Sequence, residues 1–406
     1  MDRTERQKLG IKRWLNTGGC ASCVFPTGFG KTRVALDIID LLVEKNPDIF
    51  VLIVVPTEIL KEQWLEKVIE RNRLGNCQIE IINSVIKKQW ECDLLIEDEV
   101  HLFASPSFST IFNVVKYKLI LCLTGTLERL DGKEELIKKY APVCDKITMD
   151  EAVKNGWVSP FTEYVVMIKT DLTEYNELNK RFNAYFSYFG WDFQTAMKSV
   201  QDVFFRRKWC KENNLNFKEA TAMTYDWMRC LRLRKQFVQS HPKKIEIARK
   251  IINARKDKKI LTFSATIADA EKIGTGLVLH SKQSKKLNEK ILEEFKQMKS
   301  GVINSSKALV TGCDIEGLDT EIILSINSSK ITKTQSVGRA IRFSPGKKAE
   351  IFTLIIAGTQ EFGWWRNSKT SSNYVIIDEE QLDDILAGNE IQSRKIDDNS
   401  NINFRF

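Results

Sequence analysis

No stretch of 18 apolar residues occurs in the chain, which excludes a helix that crosses a bilayer. Residues 1–13 are polar and charged and lack an apolar centre, so they are not expected to act as a secretory signal. Of nine cysteines only Cys20 and Cys23 form a C-x-x-C pair. No second pair or neighbouring histidine completes a zinc site, and none is expected. The cysteines are odd in number and lie in apolar segments, as reduced thiols in a reducing compartment do. No internal repeat or low-complexity segment interrupts the pattern. A cytoplasmic location and no membrane partner follow as expectations.

What is present begins with length. A chain of 406 residues is too long for one domain, and two or three are expected. Hydrophobic content of 43% with 28% charge is ordinary for a globular protein. The net charge of +9 is unevenly placed: residues 178–244 hold 14 Lys/Arg against 5 Asp/Glu, and the remainder balances. A polyanionic partner is therefore expected at that segment. The same segment carries 14 aromatics, among them Tyr185, Phe186, Trp191, Phe193, Phe204, Trp209 and Trp227. Most should form the core of a helical subdomain. Two basic clusters interleave with them: Arg206, Arg207 and Lys208, then Arg229, Arg232, Arg234 and Lys235. Cations holding phosphates beside rings that stack bases suit single-stranded or branched nucleic acid, and at least one cluster is expected to touch it.

The chain is organised around Val24-Phe25-Pro26-Thr27-Gly28-Phe29-Gly30-Lys31-Thr32. An apolar strand leads in and an amphipathic helix follows, which is the setting of a phosphate-binding loop. Glycines let backbone N–H groups close around phosphate oxygens, and the helix N-terminus adds partial positive charge. Thr27 to Thr32 are the expected ATP contacts: Thr27, Gly28, Phe29, Gly30, Lys31 and Thr32. Lys31 is placed to reach the β- and γ-phosphates, and the Thr32 hydroxyl to sit on Mg²⁺. The strict phosphate-loop pattern would have glycine where Phe25 stands, so the match is to the shorter G-x-G-K-T form.

Further strands are expected at 51–55, 79–82, 93–96 and 118–123, alternating with helices at 3–15 and 58–71, hence a parallel sheet with polar residues at strand ends. The fourth strand ends in Asp98-Glu99-Val100-His101, 67 residues after Lys31. Asp98 suits a metal held through water, and Glu99 suits orienting and deprotonating the attacking water. The fifth ends in Thr124-Gly125-Thr126. Residues 171–255 read as mostly helical. A second sheet of similar size is expected from strands at 259–263, 308–310, 321–326 and 349–356, the last ending near Ala357. The tail from Gln381 is polar and rich in Asn and Asp, and is expected to be partly disordered.

Taken in order, these motifs resemble the DExH-type helicases of superfamily 2, more narrowly the type III restriction motor subunits and the branch-migration helicases of phages and large viruses. The resemblance covers about residues 3–360. It implies that Gln7 reads adenine, that Pro56, Thr57 and the stretch through Gln63-Trp64 lie on the nucleic-acid track, and that His101, Thr124 and Thr126 couple hydrolysis to movement. Arg129 is another expected nucleic-acid contact. Ser264-Ala265-Thr266 spells the usual coupling motif but follows the first strand of the second sheet, so Thr124 is preferred. Thr311 and Asp314 lie in a segment resembling motif V, the first on nucleic acid and the second on ATP. Gln335, Arg339 and Arg342 resemble motif VI. Spacing of three puts both arginines on one helix face, where they supply charge to the γ-phosphate in the transition state.

The expected fold is α/β, with two RecA-like parallel-sheet domains in tandem and a helical insertion between them. The boundaries are 1–150 for the first domain, 151–170 for a connector strand, 171–255 for the insertion, 256–375 for the second domain and 376–406 for a tail. The expected function is an ATP- and Mg²⁺-dependent DNA helicase or translocase on forks or junctions in recombination, repair or replication. It is expected to be monomeric and to meet replication or recombination proteins. Abundant Asn and Lys suit a phage or viral genome, and then a host cytoplasm. The alternatives are an RNA helicase, a double-strand translocase that does not separate strands, and a non-motor P-loop ATPase or adaptor. A single-sheet kinase has no use for motif VI in a second sheet. The short C-terminal region holds no carboxylate–lysine nuclease cluster.

Overall fold

The computed structural model describes residues 1–105, 107–128, 132–306, 315, 317–326, 348–369 and 371–389. Asp2 caps the first helix, α1 (Arg3–Asn16), in a reciprocal capping box with Glu5. The apolar run that follows is β1 (Cys20–Val24), where Cys20 and Cys23 remain free thiols. Next come α2 (Lys31–Lys45), β2 (Val51–Val55), α3 (Glu58–Glu70), β3 (Cys77–Ile81), α4 (Ile82–Val85) and β4 (Trp90–Asp98). Then follow α5 (Ile111–Val114), β5 (Val115–Thr124), α6 (Glu134–Tyr140), β6 (Val143–Lys146) and α7 (Met149–Lys154). The six strands make one parallel sheet in the order β3-β2-β4-β5-β1-β6. Every residue of β2 is buried, as its all-apolar sequence requires of an inner strand covered on both faces.

The chain then forms β7 (Phe161–Ile168) and the helices α8 (Thr173–Ser187), α9 (Phe193–Gln201), α10 (Val203–Glu212), α11 (Phe217–Gln239) and α12 (Pro242–Ala254). The rest is β8 (Lys259–Ser264), α13 (Ile267–Lys272), β9 (Leu277–Leu279), α14 (Lys285–Gln297), β10 (Gly301–Ser306), β11 (Thr320–Ile323), β12 (Ala349–Ile356), α15 (Gln360–Ser368), β13 (Tyr374–Ile377) and α16 (Glu379–Ala387). Its strands form a second parallel sheet, β13-β7-β12-β11-β8-β10-β9. One apolar cluster runs from the first sheet through Trp157 into the second. The tandem parallel-sheet α/β architecture is thus as expected.

Three details differ from the sequence reading. The strand expected as a connector, β7, is an inner strand of the second sheet and pairs with β12 along its whole length. The sheet does not end near Ala357, because β13 adds a further strand on the other edge of β7. The polar tail opens with an ordered helix, α16, closed by a capping box between Asp378 and Gln381 and by left-handed Gly388. Its apolar Leu382 and Ile385 are buried, and that burial offsets its polar composition. The strand expected at 308–310 lies outside the described residues. Trp365 packs inside, its Nε1 donating to Glu163 Oε1 at 3.0 Å.

The insertion has its own core of Phe182, Phe186, Phe189, Ala196, Trp227 and Cys230. With Tyr185 and Trp209 packed against it, this core takes six of the 14 aromatics, fewer than expected, and Tyr188, Trp191, Phe193, Phe204 and Tyr225 stay exposed, Phe204 at 78%.

Candidate active site and nucleic-acid face

In the first sheet the polar strand ends align. Val24 is in register with Thr124, and Asp98 with Leu123, so the ends of β1, β4 and β5 meet at one edge. The phosphate loop leaves β1 there. Gly28 and Gly30 take left-handed φ values of 86° and 101°. A Cβ at Gly30 would come within 2.6 Å of Gln7 Nε2, and the backbone there, at φ 101°, is one that side chains rarely adopt.

Helix α1 clasps the loop from outside. Gln7 Nε2 donates to Phe29 O at 2.8 Å, Arg3 Nε to the same oxygen at 2.9 Å, and the Arg3 guanidinium to Gly28 O at 2.7 Å. Arg3 escaped the sequence reading, although it precedes Gln7 by one helical turn and so shares its face. A bidentate pair fixes the helix: Arg6 donates to both Asp145 oxygens at 2.6 and 2.7 Å, and Arg13 adds a further bond. Phe29 corrects an expectation. Its ring is fully buried against Phe25 and Trp157, and its N–H is taken by Pro26 O, so it builds the loop instead of facing a nucleotide.

The acids lie beside the loop. Lys31 Nζ stands 3.9 Å from Glu99 Oε1 and 3.5 Å from Phe25 O. Glu99 holds a left-handed backbone, φ 53°. His101 Nδ1 lies 3.3 Å from Glu99 Oε2 and 2.8 Å from Thr124 Oγ1, which in turn donates to Thr126 O at 2.8 Å. A continuous polar chain thus joins Lys31, Glu99, His101, Thr124 and Thr126. Asp98 is buried. Burial first, and then the adjacent Glu99 carboxylate, push its carboxyl up to about 6, while Lys31 acts in the other direction. Beneath it burial pushes the Glu97 carboxyl up to about 8, with the Cys122 thiol donating to it at 3.3 Å.

Trp64 also departs from its expected role. It is 1% exposed, and its Nε1 donates to Asp98 Oδ2 at 2.9 Å. Pro56 and Thr57 remain partly exposed, and Thr57 caps α3 by accepting from Leu60 N at 3.3 Å.

The residues present fit ATP and Mg²⁺. Gln7 Oε1 is buried with no partner among the described residues, an acceptor beside the loop that suits an amino group. The glycine-built turn opens α2 at Lys31 and Thr32, a ready phosphate site. Thr32 and Asp98 are the oxygen donors that would hold the metal.

The two basic clusters divide. Arg206 is buried, donates to Ser199 O and lies 5.7 Å over the Phe217 ring. Arg234 is buried too, 4.1 Å over Phe182. Both were expected on nucleic acid. Both instead pack their guanidiniums on rings of the insertion, where cation–π attraction replaces solvent. Arg207, Lys208, Arg229, Arg232 and Lys235 are exposed. The last three line one groove of α11, about 540 Å³, with Tyr225, Met228 and Leu231. Arg129, Thr311, Asp314, Gln335, Arg339 and Arg342 lie outside the described residues.

Comparison with known proteins agrees with this geometry. Residues 4–89 match the model of the type III restriction enzyme res subunit, and residues 243–344 that of the helicase conserved C-terminal domain. The DNA 3′-5′ translocase XPB2 of Sulfurisphaera tokodaii is 26% identical, over 88% of this chain and 82% of the relative. The Pyrococcus furiosus Hef helicase domain superposes with a TM-score of 0.54 at 14% identity, covering 90% of this chain and 99% of that one. The ATP-dependent type ISP restriction-modification enzyme LlaBIII, bound to DNA, gives 0.58 at 16% identity over 92% of this chain and 31% of its own. S. cerevisiae Dbp5, bound to RNA and ADP BeF3, gives 0.59 at 11% identity, with 94% and 91% covered. The solved structures share the fold. The two family models and the translocase relative indicate an ATP-hydrolysing nucleic-acid motor that resembles the superfamily 2 helicases, among them those of restriction enzymes.

Proposed function

We propose that this motor is a DNA helicase or translocase that remodels branched DNA, forks and junctions, in recombination, repair or replication. The observation that carries the reading is the exposed face of the insertion. Arg229, Arg232 and Lys235 line one groove of α11 beside Tyr225, and elsewhere on the insertion Trp191, Phe193 and Phe204 stand exposed. Such a face holds phosphates and stacks unpaired bases. The Sulfurisphaera relative, named as a DNA translocase, favours DNA over RNA. We read the protein as a monomer that meets replication or recombination proteins in the cytoplasm, a host cytoplasm if its origin is phage or viral. Among the described residues no helix is long and apolar enough to cross a membrane.

In this reading Gln7 accepts from the adenine through Oε1, the atom left without a partner among the described residues. Lys31 draws the γ-phosphate to the loop, and Glu99 orients and deprotonates the attacking water. Thr32 and Asp98 would hold Mg²⁺, which would supply positive charge to the phosphates. His101 and Thr124 report the state of Glu99 to the end of β5. Arg339 and Arg342 stabilise the transferring phosphoryl group, and Gln335 takes part in coupling hydrolysis to movement. Asp314 lies on ATP, and Thr311, Arg129, Pro56 and Thr57 on the nucleic-acid backbone.

The test is steady-state ATP hydrolysis with no polymer, then with single-stranded DNA, duplex, a four-way junction and structured RNA. Strongest stimulation by the junction is expected. Stimulation by RNA alone would move the protein to RNA, and indifference to every polymer would overturn the proposal. Replacing Arg229, Arg232 and Lys235 by alanine is expected to weaken binding and to flatten its salt dependence by up to about three phosphate contacts. Unchanged affinity and slope would remove the groove from the interface.

A further inference from the structure

Helix α3 has a narrow buried face. Of its 13 residues only Trp64 and Val68 are buried. Its N-terminus follows Pro56-Thr57, the expected nucleic-acid edge. Its outer face reaches the second sheet's layer, where Lys285 of α14 donates to Glu62 at 2.6 Å. Two polar links run inward: Lys61 donates to Glu80 of β3 at 3.0 Å, and the indole of Trp64 donates to Asp98 Oδ2 at 2.9 Å. The other Asp98 oxygen accepts from Glu99 N at 3.0 Å. Two donors therefore set the plane of this carboxylate, one from its own strand end and one from α3.

We propose that Trp64 is a positioning residue that conveys the nucleic-acid state of α3 to Asp98, and so to nucleotide and metal. The proposal rests on the motor reading above. A hydrogen bond to a carboxylate is directional and short, so a small slide of α3 stretches it and frees the carboxylate to turn. The indole stands two turns from Thr57, about 10 Å along the axis, close enough to move with the capped end as one rigid rod. The cluster of functions on one helix gives the arrangement its use. Nucleic acid bears on the N-terminus, the second domain bears on Glu62, and both are read out at Asp98.

The experiment uses the full chain. Trp64→Phe keeps an aromatic ring and removes the donor. A second variant carries β-(3-benzothienyl)alanine at position 64, with sulfur in place of the N–H, and preserves the packing. Affinity for a fluorescent ATP analogue is measured with and without a single-stranded DNA or RNA oligonucleotide, across a Mg²⁺ titration. In both variants the ratio of nucleotide affinities with and without polymer is expected to fall about tenfold, as losing a bond to a charged acceptor implies. Half-saturating Mg²⁺ is expected to rise, while polymer affinity without nucleotide stays within about twofold of the parent. Wild-type coupling in the benzothienyl protein would overturn the proposal and leave the indole a core residue. If the parent's nucleotide affinity ignores every polymer, the motor reading fails instead. The Mg²⁺ titration then decides for Trp64 alone: a raised requirement supports the positioning role, and an unchanged one overturns it.

Discussion

Asp145→Asn tests how the nucleotide edge is held together. Asp145 is 2% exposed, and Arg6, at 4%, gives it two hydrogen bonds. The substitution keeps shape and removes the negative charge, which leaves the Arg6 guanidinium buried beside Phe25 and Trp157 without its hydrogen-bonded counter-charge. Breaking a buried pair from one side costs about 3–5 kcal/mol. Arg13 is released at the same time, but its side chain is 46% exposed and adds little. The loss falls on the docking of α1, the helix that carries Arg3 and Gln7. A docking equilibrium shifted by about 4 kcal/mol is shifted by roughly a thousandfold. Urea titration followed by circular dichroism should show an earlier first transition, read as a midpoint because a chain of several domains is not two-state. The KM for ATP should rise in parallel. The double variant Arg6→Met/Asp145→Asn should recover most of the stability, since no charge is then stranded. An Asp145→Asn protein within about 1 kcal/mol of the parent, with unchanged KM, would refute the reasoning.

Other outcomes can be checked with less effort. Glu99→Gln should bind ATP and lose turnover by orders of magnitude, whereas Lys31→Ala should lose hydrolysis with its melting temperature unchanged; nucleotide-binding and phosphate-release assays separate the two. His101→Ala removes the middle of the polar chain between Glu99 and Thr124, and should abolish polymer stimulation while sparing basal hydrolysis. His241 accepts from Lys243 N through Nδ1, which only the unprotonated nitrogen does. Burial, then Lys244 and Lys243, hold its pKa below the ordinary 6.5. A depressed pKa contributes stability above pH 6.5 that is lost as pH falls through the lower folded value. His241→Asn keeps a capping oxygen and should flatten that acid-side decline in a melting series from neutral to acidic pH.

Legibility in the sequence followed the range of the interactions. The phosphate loop, Asp98-Glu99 and Thr124 were readable because each sits where an apolar run stops, and strand ends of a parallel sheet collect polar groups at one edge. Arg6 and Asp145 were not readable, since 139 residues separate them and either alone passes for a surface charge. Trp64 was placed on the nucleic-acid track by its resemblance to a motif residue; only the arrival of β4 beside β2 buries it against Asp98. Arg206 and Arg234 were misjudged for a related reason. Charge counts a cation as solvated, while the rings of the insertion offered another host. The strand β13 is short, and its pairing with β7 joins segments that composition assigns to different units.

The left-handed backbone at Glu99 has an evolutionary consequence. A non-glycine residue at φ 53° carries a conformational cost of about 1–3 kcal/mol that glycine would not. Selection for thermal tolerance alone would therefore reward glycine or asparagine at this position, and each would remove the carboxylate we propose as the base that activates water. Libraries screened only for heat resistance should accumulate inactive proteins altered here, while those screened for turnover should keep the strained glutamate and gain stability elsewhere.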